Sequence, residues 1–163
     1  MLDLEDRFEG ELPQGARFVT GNAHELPFPD GHFDRSVMTC VLHHLVDPER
    51  ALIELRRVTR PGGRVSVLLP TDPSLAYRVV RGLTSGRRAR RAGVGRQQRL
   101  SHAREHRNHF ASLITMVRAV FETDDVTVRY FPFPIATWNL NLLTVVRIER
   151  LNDFDDATTL VAS

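Results

Sequence analysis

A chain of 163 residues that is 42% hydrophobic and 26% charged has room for one domain with a real core, which excludes disordered and fibrous classes. No run approaches the roughly 18 to 20 apolar residues that a membrane span needs, and the acidic start Met1-Leu2-Asp3-Leu4-Glu5-Asp6 lacks the basic flank of a signal peptide, so the expected location is cytoplasmic. The formal charge is only +2, yet all 22 basic residues are Arg, and residues 78–107 hold ten of them against the single acid Glu105. That segment has a physical reason to meet phosphate groups or an anionic membrane surface, which would place the protein peripherally at the membrane. Cys40 is the only cysteine, so neither an internal disulfide nor a thiolate metal cluster can form, and it reads as a small buried apolar residue.

In chain order, the first 16 residues read as an incomplete helix and a loop ending Pro13-Gln14-Gly15. Arg17 to Thr20 is a short strand, and a loop through Pro27, Pro29, Asp30 and Gly31 leads to a buried strand from Phe33 to Cys40. A helix starts at Asp47-Pro48, with Asp47 as N-cap and Pro48 at the position where a missing N–H costs nothing. Ala51, Leu52, Leu55 and Val58 fall on its inward face, Arg56, Arg57 and Arg60 lie near its end, and Pro61-Gly62-Gly63 is expected to stop it. Arg64 to Leu69 then completes a βαβ unit with parallel strands. Beyond Pro70, one or two helices and a stretch around Gly86 to Gly95 are expected to form a lid over a binding site. Phe110 to Phe121 resumes a helical period with Leu113, Ile114, Val117 and Val120 inward. Val126 to Phe131 and Leu140 to Ile148 are strands with no helix between them, so they must pair antiparallel. An acidic tail, residues 151–163, closes the chain.

Four stretches come in succession between residues 17 and 70: Gly21-Asn22-Ala23-His24-Glu25-Leu26-Pro27-Phe28, Asp30-Gly31-His32-Phe33-Asp34, Val41-Leu42-His43-His44-Leu45 and Arg57-Val58-Thr59-Arg60-Pro61-Gly62-Gly63. In this order and spacing they resemble the landmarks of the class I S-adenosylmethionine-dependent methyltransferases, in their methyltransferase type 11-like branch. The resemblance implies a partial Rossmann-like α/β sheet with an antiparallel C-terminal hairpin and the family strand order 3-2-1-4-5-7-6. Residues 17–20 would be strand 3, 33–40 strand 4, 64–69 strand 5, and the hairpin strands 6 and 7. Strands 1 and 2 would be missing, with Met1-Leu2-Asp3 resembling the helix after strand 2, so that the chain reads as N-terminally truncated. Strand 3 would then lack a partner and strand 4 would be a bare edge prone to self-association. Within this partial domain, residues 1–150, residues 17–70 would be the cofactor side and 71–150 the acceptor side.

The family resemblance also implies S-adenosyl-L-methionine as cofactor and a small or lipid-like methyl acceptor. Gly21, Asn22 and Ala23 match the loop over the adenine, with the Asn22 side chain near the exocyclic amine and the Ala23 amide near a ring nitrogen; most relatives carry Asp at the first of these polar positions. Thr39, where strand 4 ends, would meet the amino-acid end of the cofactor or simply finish the strand. The sequence names no catalytic residue outright. His43 and His44 invite a general-base role because imidazole titrates near neutrality, but the family pair opens a loop, and a backbone-bonding role is preferred. His106 and His109 could orient an acceptor; Asn108 could do so too, although capping the following helix is preferred. Phe131, Phe133 and Trp138 would be apolar walls. No residues have metal-ligand spacing. A competing reading is a non-catalytic remnant or subunit that associates with a complete methyltransferase. The Arg-rich segment has no interleaved aromatics, which argues against nucleic acid.

Overall fold

Helix α1 (Pro48–Val58) begins where Asp47 Oδ1 accepts a hydrogen bond from the Arg50 amide at 3.0 Å and Pro48 occupies the first turn, as the sequence leads one to expect. The computed structural model describes residues 2–3, 12–83 and 108–151, and expectations falling elsewhere, including the lid, His106 and most of the acidic tail, lie outside the described residues. Ala51, Leu52, Leu55 and Val58 are buried on the inner face of α1. The helix ends at Val58 rather than at Pro61-Gly62-Gly63. Thr59 is already extended, its Oγ1 donating to the Leu55 carbonyl at 2.7 Å, and the Pro-Gly-Gly run lies inside the next strand. Gly63 is there for close approach: a Cβ would sit 2.8 Å from the Arg60 carbonyl oxygen and 2.9 Å from that of Asp34.

The strands are β1 (Leu2–Asp3), β2 (Val19–Thr20), β3 (Phe33–Thr39), β4 (Thr59–Pro70), β5 (Asp125–Phe131) and β6 (Leu143–Glu149). Two more helices are described, α2 (Leu75–Leu83) and α3 (Phe110–Val120). Four strands form one sheet in the order β3-β4-β6-β5, with β3 parallel to β4 and both β4–β6 and β6–β5 antiparallel. This is the 4-5-7-6 half of the expected order. Among the described strands β3 is an edge, as expected, but strand 3 is not without a partner. Leu2–Asp3, read as resembling a helix, is instead a short strand parallel to Val19–Thr20, in the place that the family order gives to strand 2. Two residues are too few for periodicity to reveal. Cys40, expected to be buried, is exposed at the end of β3 with φ at +51°. Its amide donates to the Leu68 carbonyl at 3.0 Å, which holds this strained turn in place.

The core lies on one face of the sheet. Val65, Val67 and Leu69 of β4 and Val146 and Ile148 of β6 are fully buried against α1 and against Phe110, Leu113, Val117 and Phe121. Ile114 and Val120, also expected inward, are only half-buried at the margin of this cluster. The C-terminus of α1 is capped from the far end of the hairpin. Arg150, 9% exposed, donates to the carbonyls of Arg56 and Thr59, where the helix dipole favours a cation, while Arg56 donates to buried Asp124 at 2.8 Å.

Two polar nodes position the loops at the C-terminal ends of the parallel strands. Arg50, Glu54 and Arg57 share one stripe of α1 at i, i+4 and i+7, and together they hold the β2–β3 loop. Arg50 Nε donates to the His24 carbonyl at 2.9 Å; Glu54 accepts from the Leu26 amide at 2.8 Å; Arg57 donates to the carbonyls of Leu26 and Phe28 and to Asp30. Arg57 also grips Glu54 through both carboxylate oxygens, each at 2.8 Å. The second node is Asn141, fully buried in the β5–β6 loop. Its Nδ2 donates to the carbonyls of Ile135 and Thr137, its Oδ1 accepts from the Phe133 amide, and its carbonyl accepts from Thr71 and Ser74 beyond β4.

Replacing Arg57 by Met should lower stability by roughly 1 to 3 kcal/mol, because it strands a mostly buried carboxylate and frees two loop carbonyls; urea midpoints measure this. The Arg57 guanidinium holds the Glu54 carboxyl below its ordinary range. Its contribution is therefore present above the ordinary glutamate value of about 4.3 and is lost as pH falls through the lower folded value. The Glu54→Gln variant should show a flatter acid limb than wild type in urea titrations at successive pH values. For Asn141→Ala, which leaves several loop groups without partners, a loss of about 2 kcal/mol is expected, together with altered emission from Trp138, the only tryptophan.

Candidate functional site

The loops after β2, β3 and β4 open at the C-terminal ends of parallel strands, where α/β sheets of this kind bind ligands. After β2 comes Gly21-Asn22-Ala23. Asn22 is exposed and makes a local Asx turn, with Oδ1 accepting from the His24 amide at 3.0 Å. A carbonyl oxygen has a second lone pair, so this turn leaves the amide able to accept from a ligand amine. Ala23 packs against the core, which fixes the backbone at this point. The Arg57–Glu54 node holds the following residues. Phe28 packs edge-on against Phe33 (4.9 Å between ring centres) and stacks on His32 at 5.8 Å.

Thr39 is exposed at the end of β3, and the thiol of exposed Cys40 next to it is partly desolvated, which raises its pKa and disfavours the thiolate. A short 3₁₀ turn, Leu42–His44, follows. His43 is buried at 5% exposure with its ring 3.9 Å from that of His44, which is exposed. The burial of His43 fits a structural role, whereas His44 can reach solvent and a ligand.

Asn108 does not cap α3, contrary to the preferred reading. His109 holds the N-cap position without a side-chain cap bond. Asn108 Nδ2 instead donates to the Leu45 carbonyl at 2.8 Å and its amide to that of His43 at 3.4 Å. The Phe110 amide reaches the Asp72 carbonyl at 3.3 Å. Thus the histidine turn, the residues after β4 and the start of α3 meet at one place, with His44 and His109 both exposed there. No hydrogen bond joins this group to Asn22 or Thr39 among the described residues. On the same side, the β5–β6 loop carries Phe131, Phe133 and Trp138, all exposed. No cluster of metal-ligating side chains occurs among the described residues.

The polar residues that build the site were partly missed in the sequence. Glu54 and Arg50 had a signal in their i, i+4, i+7 spacing with Arg57. Asn141, Thr71 and Ser74 had none, because their partners are up to 70 residues away.

The first of these loops carries an exposed amide that can accept, just ahead of a backbone held by Arg50, Glu54 and Arg57. A family described as "Methyltransferase domain" matches residues 1–67. The ubiquinone/menaquinone biosynthesis C-methyltransferase of Psychromonas ingrahamii is 47% identical over 56 residues, which are 34% of this chain and 22% of that protein. The corresponding enzyme of Hahella chejuensis is 48% identical over 67 residues, covering 38% of this chain and 27% of its own length. The chain therefore spans about a quarter of the curated relatives that it matches. Among solved structures, an S-adenosylmethionine-dependent methyltransferase from Archaeoglobus fulgidus superposes with a TM-score of 0.60 at 10% identity, covering 91% of this chain and 74% of that one. One from Mesorhizobium loti gives 0.59 at 13% identity, covering 91% and 78%. These low identities speak to the fold alone, and the family match is confined to the first 67 residues. Over its first 67 residues the chain is thus similar to the methyltransferase domain family, and its sheet has the fold of the S-adenosylmethionine-dependent methyltransferases on which it superposes.

Proposed function

We propose that the chain takes part in methyl transfer from S-adenosylmethionine to a small or lipid-like acceptor, with residues 17–70 as the cofactor side and 71–150 as the acceptor side. The observation that carries the reading is the β2–β3 loop, which three side chains of α1 hold at His24 and Leu26, directly after exposed Asn22 and core-packed Ala23. Gly21 gives the approach, Asn22 accepts from the adenine amine, and Thr39 meets the amino-acid end. Phe131, Phe133 and Trp138 are the apolar walls of the acceptor side, and the quinone-methylating names of the relatives suit such walls.

The bound cofactor supplies a methyl group on a sulfonium, which is already a strong electrophile. The work of the chain is positioning and exclusion of water. His44 and His109 are the residues that could take a proton if the acceptor must lose one; buried His43 shapes the turn.

The open edge of β3 favours a second reading, in which this chain associates with a complete methyltransferase and serves it as a non-catalytic partner. Titration calorimetry separates the two. Heat from S-adenosylmethionine with the chain alone supports the first; association with a full-length relative and no cofactor heat supports the second.

Replacing Asn22 by Leu should weaken cofactor binding about 5- to 100-fold, the equivalent of roughly 1 to 3 kcal/mol for a lost buried acceptor, whereas Asn22→Asp should bind at least as well as wild type. Unchanged affinity in the Leu variant would show that the adenine lies elsewhere.

A further inference from the structure

Helix α2 presents apolar side chains to solvent. Leu75, Val79 and Leu83 recur at every fourth position, hence along one face, and are 60%, 51% and 52% exposed. The helix packs against the Trp138–Leu140 turn of the β5–β6 loop. In that loop Phe133, Ile135 and Trp138 are 51%, 56% and 36% exposed. A single exposed Leu means nothing, but six large apolar side chains on two adjoining elements are a surface that solvent alone does not favour. The loop is rigid enough to present them, because Asn141 fixes it from within and Thr71 and Ser74 tie it to the approach to α2.

The charge carried by the sequence that continues from this helix selects its occupant. Residues 78–107, which start inside α2, contain ten Arg and one acid. An apolar helix face in a sequence this rich in Arg matches an anionic lipid bilayer, whose headgroups attract cations while its acyl region takes apolar groups. A second copy of the chain suits the face poorly, since it would carry the same excess of Arg and no complementary charge. We propose that α2 and the β5–β6 loop form a docking surface for an anionic membrane. The proposal rests on the reading above only in its consequence, namely that a lipid-like acceptor would enter from the bilayer past Phe133 and Trp138; docking itself needs neither cofactor nor acceptor.

The test is co-sedimentation of the 163-residue chain with phosphatidylglycerol–phosphatidylcholine vesicles and with pure phosphatidylcholine vesicles, at about 0.1 M and about 1 M salt. Binding is expected on the anionic vesicles, at least about tenfold weaker in high salt as the screening length shortens. The Val79→Asp, Leu83→Asp double variant should bind at least about tenfold more weakly, with circular dichroism unchanged, because it puts acid on the face that enters the interface. Independently of any variant, the emission of Trp138 should move to shorter wavelength on binding and be quenched by brominated acyl chains. Equal binding to neutral vesicles, absence of quenching, or full binding by a folded double variant would overturn the proposal. So would a wild-type dimer that ignores vesicles and that the double variant converts to monomer, since the face would then be a contact between copies. Vesicle binding by a chain that gives no heat with S-adenosylmethionine leaves the docking surface standing and counts only against the cofactor reading.

Discussion

The bidentate pair between Glu54 and Arg57 is the interaction on which the rest of the site depends. A loop that runs over the surface buries little apolar area with which to hold itself. Here it is held by charge-assisted hydrogen bonds from a helix whose own position is set by packing. Each partner keeps the other charged and oriented: Arg57 holds Glu54 ionised, and Glu54 fixes the guanidinium so that its remaining donors meet Leu26, Phe28 and Asp30. Order therefore passes from the core through Leu52 and Leu55 to the polar stripe of α1, and from there to Asn22.

The same division of labour recurs at the β5–β6 loop. The apolar residues of the β5–β6 loop face outward, so the loop owes its shape to Asn141, whose amide and carbonyl groups take five partners inside it and beyond β4. At the opposite end of the hairpin, Arg150 and Asp124 join the last strand to α1. These buried polar nodes thus sit at the ends of the strands, where they decide loop geometry, while the middles of β4 and β6 bury apolar side chains. Nodes of this kind are expensive to disrupt, since each lost partner leaves another group dry and unpaired.

The edge of the main sheet brings a different constraint. Among the described strands, β3 bonds only to β4, and Val37 on it is 56% exposed. The β1–β2 pair is a separate two-stranded sheet. A parallel strand in a protein of this class is ordinarily flanked on both sides, so this edge offers free backbone groups for pairing. Its position beside Thr39 and the histidine turn means that whatever pairs there would also border the candidate site.

Much of this was legible in the residues themselves. The N-cap of α1, its buried face, the parallel β3–β4 pair and the C-terminal hairpin follow from local patterns, because capping, 3.6-residue periodicity and strand alternation are encoded within ten or so neighbouring residues. The four family landmarks were legible for a similar reason, being contiguous. What the residues alone did not decide were the terms set by distant neighbours. The end of α1 moved to Val58 because Thr59 turned to bond Leu55 and enter the sheet; Cys40 came to the surface because β3 stops at a strained turn; Asn108 bonded Leu45 instead of its own helix. Leu2–Asp3 became a strand only by finding Val19–Thr20. Asn141, Asp124 and Arg150 acquired their roles the same way, from partners more than 20 residues off in most cases. A side chain's local propensity is a fraction of a kcal/mol, whereas leaving a buried polar group unpaired costs about 1 to 3, so where the two compete it is the tertiary partner that decides.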